Sequence, residues 1–192
     1  MTHVAGLVLA AGAGLRFGGP KAVVELAGER LVDRAVRVLA EGGVSQAYVV
    51  SGPVALSVAG AVVVDNPGWE SGMASSLLAG LDALPATTEA ALVVLVDHVG
   101  LTPAAVRRVA GEVTGPASLV AATYDGRQGH PVAIGRDWWP EVRATAEDDQ
   151  GARAVLAAHR DDLLLVECSD VASGADVDLP GDLAAYRDDG DA

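Results

Sequence analysis

The sequence predicts an α/β protein, a three-layer α/β/α sandwich built on a mostly parallel sheet. The first observation is alternation. Short, continuously apolar runs take turns with stretches whose apolar residues recur at helical spacing. Strands that are apolar throughout belong to sheets covered on both faces, and intervening helices supply the covers. The second is composition: 51% of residues are hydrophobic but only 4% aromatic, so the core is built from Ala, Val and Leu. The 192 residues read as one domain, 1–192, and a chain of this size buries roughly 70% of its unfolded surface.

The elements follow in order. Val4–Leu9 (VAGLVL) is a buried first strand, ending in a glycine-rich loop. Leu31–Glu41 has helical spacing and stops at Gly42-Gly43. Ala47–Ser51 and Ala61–Asp65 read as strands, with a short helix at Pro53–Ala59 between them. Met73–Leu84 is a helix ended by Pro85, and Ala91–Val96, the most apolar run, is the central strand. Thr102–Glu112 is a helix with Thr102 as N-cap and Pro103 at its first position. Leu119–Thr123 and Pro131–Ile134 are strands flanking a polar loop, Asp125–Gly129. Gly151–His159 is helical, Leu163–Glu167 is a strand, and Leu183–Tyr186 belongs to a last helix. The tail 187–192 (RDDGDA) reads as frayed.

The loop after the first strand is the densest signal. It has glycines at Gly12, Gly14, Gly18 and Gly19, and Arg16 and Lys21 are its only charges. Glycines admit a ligand close to the backbone and turn N–H groups toward an anion. Arg grips phosphate with a planar fork, and Lys adds a point charge. A polyphosphate uses all three, whereas a bare glycine turn has no need of the two cations. Two familiar loops do not fit. In Gly14–Lys21 (GLRFGGPK), Pro20 precedes the Lys and Ala22 follows it, so a Walker loop's hydroxyl is missing. A dinucleotide fingerprint needs a third glycine at position 17, which is Phe.

Leu9–Lys21 resembles the signature LAAGxGxRxGxxK of the MobA-like nucleotidyltransferases, most nearly the molybdenum cofactor cytidylyltransferase type. The resemblance implies a Rossmann-like fold of the nucleotide-diphospho-sugar transferase type. It also implies a loop wrapped around a nucleoside triphosphate, in which Leu9, Ala10, Ala11, Gly12 and Gly14 contact the nucleotide. Arg16 and Lys21 then stabilise charge as pyrophosphate leaves. Asn66–Leu81 follows the family's N-P-x-W-x-x-G-M-x-x-S-L-x-x-G-L, which lines the nucleotide and acceptor cleft, so Asn66 and Ser76 join the nucleotide site. From the residues alone, Ser71 or Ser75 serves equally well as a simple helix cap.

Asp97 ends the central strand, where α/β sheets bind ligands, and a carboxylate beside a triphosphate loop is a natural magnesium ligand. The plainer alternative is an Asp capping a turn. The family carries Asp-x-Pro here, whereas this chain reads Asp97-His98-Val99. Gly174–Leu183 is similar to the family's D-I-D-T-P-E-D-L, which implies Asp178 as the second ligand of Mg²⁺ (or Mn²⁺), with Asp176 as second candidate and Asp182 as a helix-start residue. Gly129–Val132 matches G-x-P-V, where His130 either contacts the acceptor or hydrogen-bonds a loop. Asp149–Arg153 resembles D-x-G-A-R, where Asp149 either caps a helix or contacts the acceptor. His98 and His159 carry no signal, and no zinc spacing appears. Trp138-Trp139 reads as packing.

A formal net charge of −13 argues against nucleic acid or an anionic membrane as partner. The lone Cys168 has no disulfide partner and reads as a small strand hydrophobe. No signal peptide is visible and apolar runs are too short to span a bilayer, so a cytoplasmic location is expected. The resemblance implies transfer of a nucleotide monophosphate from a triphosphate to a phosphorylated acceptor. The LAAG form of the loop favours CTP over GTP, and a phosphorylated pterin-type acceptor, molybdopterin. Three other readings stay open. One is transfer to a sugar phosphate or phospholactate-like acid. Another is a non-catalytic nucleotide- or cofactor-binding partner of a molybdoenzyme. The third, an oxidoreductase, is disfavoured by the missing fingerprint and by Ser51 where an acidic residue would close the second strand.

Overall fold

The computed structural model describes residues 2–44 and 46–186. In chain order the strands and helices are β1 (Val4–Leu9), β2 (Glu25–Leu26), β3 (Glu29–Arg30), α1 (Leu31–Glu41), β4 (Ala47–Ser51), β5 (Ala61–Asp65), α2 (Met73–Ala83) and β6 (Ala90–Leu95). They continue with α3 (Pro103–Gly111), β7 (Leu119–Tyr124), β8 (Arg127–Gly135), α4 (Trp139–Thr145), α5 (Arg153–Ala158) and β9 (Leu163–Glu167). Single 3₁₀ turns occupy Lys21–Val23, Trp69–Ser71 and Arg136–Trp138. The expected tail 187–192 lies outside the described residues.

Seven strands form one sheet in the order β5-β4-β1-β6-β8-β7-β9, with β6 in the middle as its apolar run predicts. β1 pairs in parallel with β4 and β6, β4 with β5, and β7 with β9, while β8 runs antiparallel to both its neighbours. Successive residues of β1 point to opposite faces. Val8 packs on one face with Val38 and Leu39 of α1 and Val106 of α3. Leu7 and Leu9 pack on the other with Leu77 and Leu81 of α2, Trp139 of α4 and Leu156 of α5. This is the expected sandwich. Trp139 is buried and donates its indole N–H to the Ile134 carbonyl at 3.0 Å. Cys168 is buried in the first of these faces.

Three expectations change. Pro53–Ala59 forms no helix. Arg30 takes the Ser57 carbonyl at 2.8 Å and Val58 is drawn into the core, which holds the segment as an irregular connection. The polar loop Asp125–Gly129 shrinks to a two-residue turn at Asp125-Gly126, with φ of 51° and 75°. Positive φ at both positions is the type I′ hairpin geometry that an Asp-Gly pair prefers, so β8 begins at Arg127. Leu183–Tyr186 belongs to a 3₁₀ stretch, Pro180–Tyr186, rather than an α-helix. Thr102 caps α3 as predicted, accepting from the Ala105 N–H at 3.3 Å. Among the described residues, no helix is long and apolar enough to cross a membrane.

Candidate active site

The parallel strands β1 and β6 stop side by side, and the glycine loop crosses over their carboxyl ends. Its shape depends on Gly14, whose φ is +62° and whose carbonyl accepts from the Gly18 and Gly19 N–H groups at 2.9 and 3.1 Å. A Cβ at Gly14 would lie 1.9 Å from the Gly19 oxygen, so no other residue fits. These bonds spend the Gly18 and Gly19 amides on the Gly14 carbonyl and close the part of the loop that carries Arg16.

Lys21 is the centre of the site. Its ammonium donates to Asp97 Oδ2 at 2.8 Å and to Asp178 Oδ1 at 3.1 Å. Burial works against its charge, but the hydrogen bond and charge of Asp97, then those of Asp178, outweigh that and raise its pKa. Arg16 lies 3.7 Å from Asp178 Oδ2. The hydrogen bond from Lys21 holds the Asp178 carboxyl below its ordinary range. Asp176 is the opposite case: burial, then the Asp97 charge, push it up. The structure thus brings together Arg16, Lys21, Asp97 and Asp178 from segments far apart in sequence.

The turn that holds Asp178 is built by Asp182, whose Oδ2 accepts from the Asp178 and Leu179 N–H groups at 2.9 and 2.8 Å. The changed segment after Asp97 is stitched to the same stretch. The Asp97 carbonyl accepts from the Val177 N–H at 3.0 Å, and the buried His98 donates from Nε2 to the Ser173 carbonyl at 2.8 Å. Val99 and Val177 pack together beneath it, with Leu26 and Leu31.

Above the loop opens a cleft of about 510 Å³. Leu9, Ala11, Gly12, Gly14, Arg16, Lys21, Ser76, Asp97, Asp149 and Asp178 line it. Ala10 does not; it packs into the α1/α3 face of the core. Asn66 also stands behind the cleft rather than in it. Its amide donates to Ser75 and Ser76 Oγ at 2.9 and 3.1 Å, and its carbonyl accepts from the Gly68 N–H at 3.0 Å. All its bonds are used to shape the turn, so it positions Ser76 and does not offer a free edge to a ligand. Trp69, Glu70 and Met73 also line the cleft.

Asp149 does not cap α5, the helix that follows it. It reaches across to α2, where its Oδ1 accepts from the Met73 N–H at 3.2 Å, beside the Asp148 carbonyl that accepts from Ala74 at 2.8 Å. The close approach needs Gly72, whose φ is +101° and whose absent Cβ would meet Asp148 at 2.6 Å.

A second cavity, of about 240 Å³, continues from the first and shares Leu9, Met73 and Leu95 with it. His98, Gln128, His130, Gln150, Arg153 and Asp176 line it. Burial pushes the His130 imidazole down to about 4, with the charges of His98 and Arg153 adding to the effect. Tyr124 donates to the His130 carbonyl at 2.7 Å and meets the His98 ring edge-on at 5.7 Å. His98 and Arg153 carried no role in the sequence reading. Arg153 ends the D-x-G-A-R match, but nothing in the residue order says that it faces a cavity.

The donor set fits Mg²⁺ or Mn²⁺. Two carboxylates converge on one cation, Lys21, and magnesium takes one or two carboxylates together with substrate phosphates and water. Among the described residues no three His, Cys, Asp or Glu side chains form an all-protein cage.

Parallel strands that end beneath a glycine loop bearing Arg16 and Lys21 define an α/β protein with its candidate site at the carboxyl edge of the sheet, and that is the class to which this chain belongs. The family is narrower: residues 6–163 match the MobA-like NTP transferase domain, and the chain is a member of that family. It is 38% identical over 189 residues to nicotine blue oxidoreductase of Paenarthrobacter nicotinovorans, covering 91% of this chain and 92% of that protein. It is 39% identical over 118 residues to a bifunctional IPC transferase and DIPP synthase of Rubrobacter xylanophilus, covering 55% of this chain and 26% of that protein. Its fold resembles a nucleotidyl transferase from Methanothermobacter thermautotroptrophicus, with a TM-score of 0.81 at 22% identity over 98% of each chain.

Proposed function

We propose that the chain is a nucleotidyltransferase dependent on Mg²⁺ (or Mn²⁺) that joins CMP from CTP to a phosphorylated acceptor of the molybdopterin kind and releases pyrophosphate. The observation that carries this is the convergence of Lys21, Asp97 and Asp178 under the glycine loop. An acceptor phosphate oxygen attacks the α-phosphorus, the bridging P–O bond to the β-phosphate breaks, and the electron pair leaves with pyrophosphate. The attacking group is already an anion, so the protein's task is alignment and charge neutralisation. Arg16 and Lys21 neutralise the departing phosphates. Asp97 and Asp178 would hold the divalent ion, which supplies Lewis-acid stabilisation of charge on the phosphate oxygens. The segment ending at Ser76 places the nucleotide, and the second cavity, with His130, places the acceptor. A cytoplasmic location, where triphosphates are supplied, goes with this reading. A partnership with the molybdoenzyme that takes the product goes with it too.

Cytosine is favoured by Ala11 in the LAAG run, because a methyl at the cleft wall discriminates by about 10–200-fold. That methyl lies close to Gly52, the residue after β4, where a Cβ would meet it at 2.9 Å, so it also packs the loop against the end of that strand. The test is pyrophosphate release with CTP, GTP and ATP against molybdopterin, for the parent and Ala11→Gly. CTP should be the best substrate, with GTP gaining in the variant. A parent that used GTP at least as well as CTP would remove the cytidylyl assignment.

The full-length likeness to a protein named an oxidoreductase supports a second reading. In it, the same cleft holds the phosphates of a nucleotide-bearing redox cofactor. Oxidation of NADH or NADPH with a dye acceptor, without pyrophosphate release from any triphosphate, would favour it.

A further inference from the structure

We propose that His98 is a positioning residue: together with Gly100 it lashes the strap Ser173–Asp178 to the carboxyl end of β6, and so holds the Asp178 carboxylate opposite Asp97 at the spacing of one cation. This rests on the reading that gives both carboxylates to the divalent ion. The strap lies on the surface. Among Ser173–Asp178 only Val177 is buried, so apolar packing pins it at a single point. The rest of its hold is polar. The Val177 N–H donates to the Asp97 carbonyl at 3.0 Å, the Gly100 N–H to the Ala175 carbonyl at 3.4 Å, and the Ser173 N–H to the Gly100 carbonyl at 3.2 Å. These are backbone bonds, which almost any residues could make, provided that the strap lies this close.

Two residues of this chain bring it that close. A Cβ at Gly100 would collide with the hydroxyl and carbonyl oxygens of Ser173, so the approach requires glycine. His98 is buried and donates from Nε2 to the Ser173 carbonyl at 2.8 Å. A carbonyl only accepts, so Nε2 carries the proton. The ring meets Tyr124 edge-on at 5.7 Å, and Gly174 of the strap packs on the same tyrosine, where a Cβ would meet the ring at 2.9 Å. Val99 stands where the family's proline would stiffen this turn, so its rigidity falls to hydrogen bonds instead. One imidazole thus ties the chain neighbour of Asp97 to the segment that bears Asp178, across 75 positions of sequence. Groups that orient a metal's ligands from behind set its affinity by about 10–100-fold.

The test uses the full chain with Mn²⁺ alone and no triphosphate. His98→Leu keeps the bulk and loses the donor; His98→Gln puts an amide N–H where Nε2 stands. Amide hydrogen exchange at Val177 and Gly100, followed by nuclear magnetic resonance, should quicken in the leucine variant and stay close to the parent in the glutamine variant. Mn²⁺ affinity, read from the free-ion signal in electron paramagnetic resonance, should fall about tenfold in His98→Leu and recover in His98→Gln. Asp178→Asn should lose at least as much. The double variant His98→Leu/Asp178→Asn should bind no more weakly than Asp178→Asn alone, because the histidine acts through that carboxylate. Gly100→Ala, which pushes the strap away by a different route, should reproduce both effects of His98→Leu and replaces it if the leucine variant does not fold. Losses that add in the double variant, a glutamine variant no better than leucine, or Mn²⁺ affinity untouched by His98→Leu would overturn the proposal. No triphosphate is present, so a failure of pyrophosphate release would strike the transferase reading alone.

Discussion

Lys21 shows how much one side chain can decide. Its ammonium occupies the space between two carboxylates that would hold a divalent ion, so ammonium and metal compete for the same oxygens. Lys21→Met should bind Mn²⁺ alone about tenfold more tightly than the parent, read by the loss of free-ion signal in electron paramagnetic resonance. The same variant should lose most of its thermal stabilisation by CTP with Mg²⁺, because the triphosphate loses a cation. Unchanged Mn²⁺ affinity would show that the lysine is not the resting occupant. His130 makes a second residue-scale prediction. Its folded pKa, about 4, lies below the ordinary 6.5. Between these values the unfolded chain binds a proton that the folded chain does not. Its contribution is therefore complete above pH 6.5 and is lost as pH falls toward 4, by at most about 3 kcal/mol. Urea unfolding at pH 7.5 and 4.5 should show a smaller pH difference for His130→Gln than for the parent.

At the scale of elements, the site depends on connections that meet far from their neighbours in sequence. The head of α2 has no cap from its own chain neighbours, and Asp149 provides one from across the cleft. Asp149→Ala should cost about 0.5–2 kcal/mol in urea unfolding, with Asp149→Asn close to the parent. The variant should also weaken nucleotide binding, because the segment it pins forms a wall of both cavities. A loss of stability with nucleotide binding intact would confine Asp149 to capping.

The molecule as a whole is strongly acidic, and its substrate in the proposed reaction is a polyanion. At 10 mM salt the screening length is about 30 Å and the whole charge is felt; at 0.15 M it is about 8 Å, and only the cleft's own cations remain in range. Triphosphate association, measured by stopped flow at fixed Mg²⁺, should therefore quicken several-fold as salt rises over that interval. A slowing would mean that Arg16, Lys21 and Arg153 already dominate the approach field.

The sequence by itself determined the sandwich, the middle place of β6, the cap of α3 and the loop that opens the site. These follow from local pattern: apolar runs make strands, 3.6-residue spacing makes helices, and clustered glycines make a tight loop at the end of a strand. The Asp125-Gly126 hairpin was legible too, as an Asp-Gly pair between apolar runs, although a longer loop was expected there. Only the tertiary structure decided which side chains meet. Lys21 and Asp178 are 157 positions apart, and nothing in residue order says that one ammonium spans Asp97 and Asp178. Asn66 matches a nucleotide-site motif, yet its bonds are spent on Ser75 and Ser76; Arg153 ends another motif and faces a cavity. Motif spacing reports chemistry that lies close along the chain. The contacts of a side chain depend on how strands are ordered across the sheet, and that order is set by the packing of the whole core.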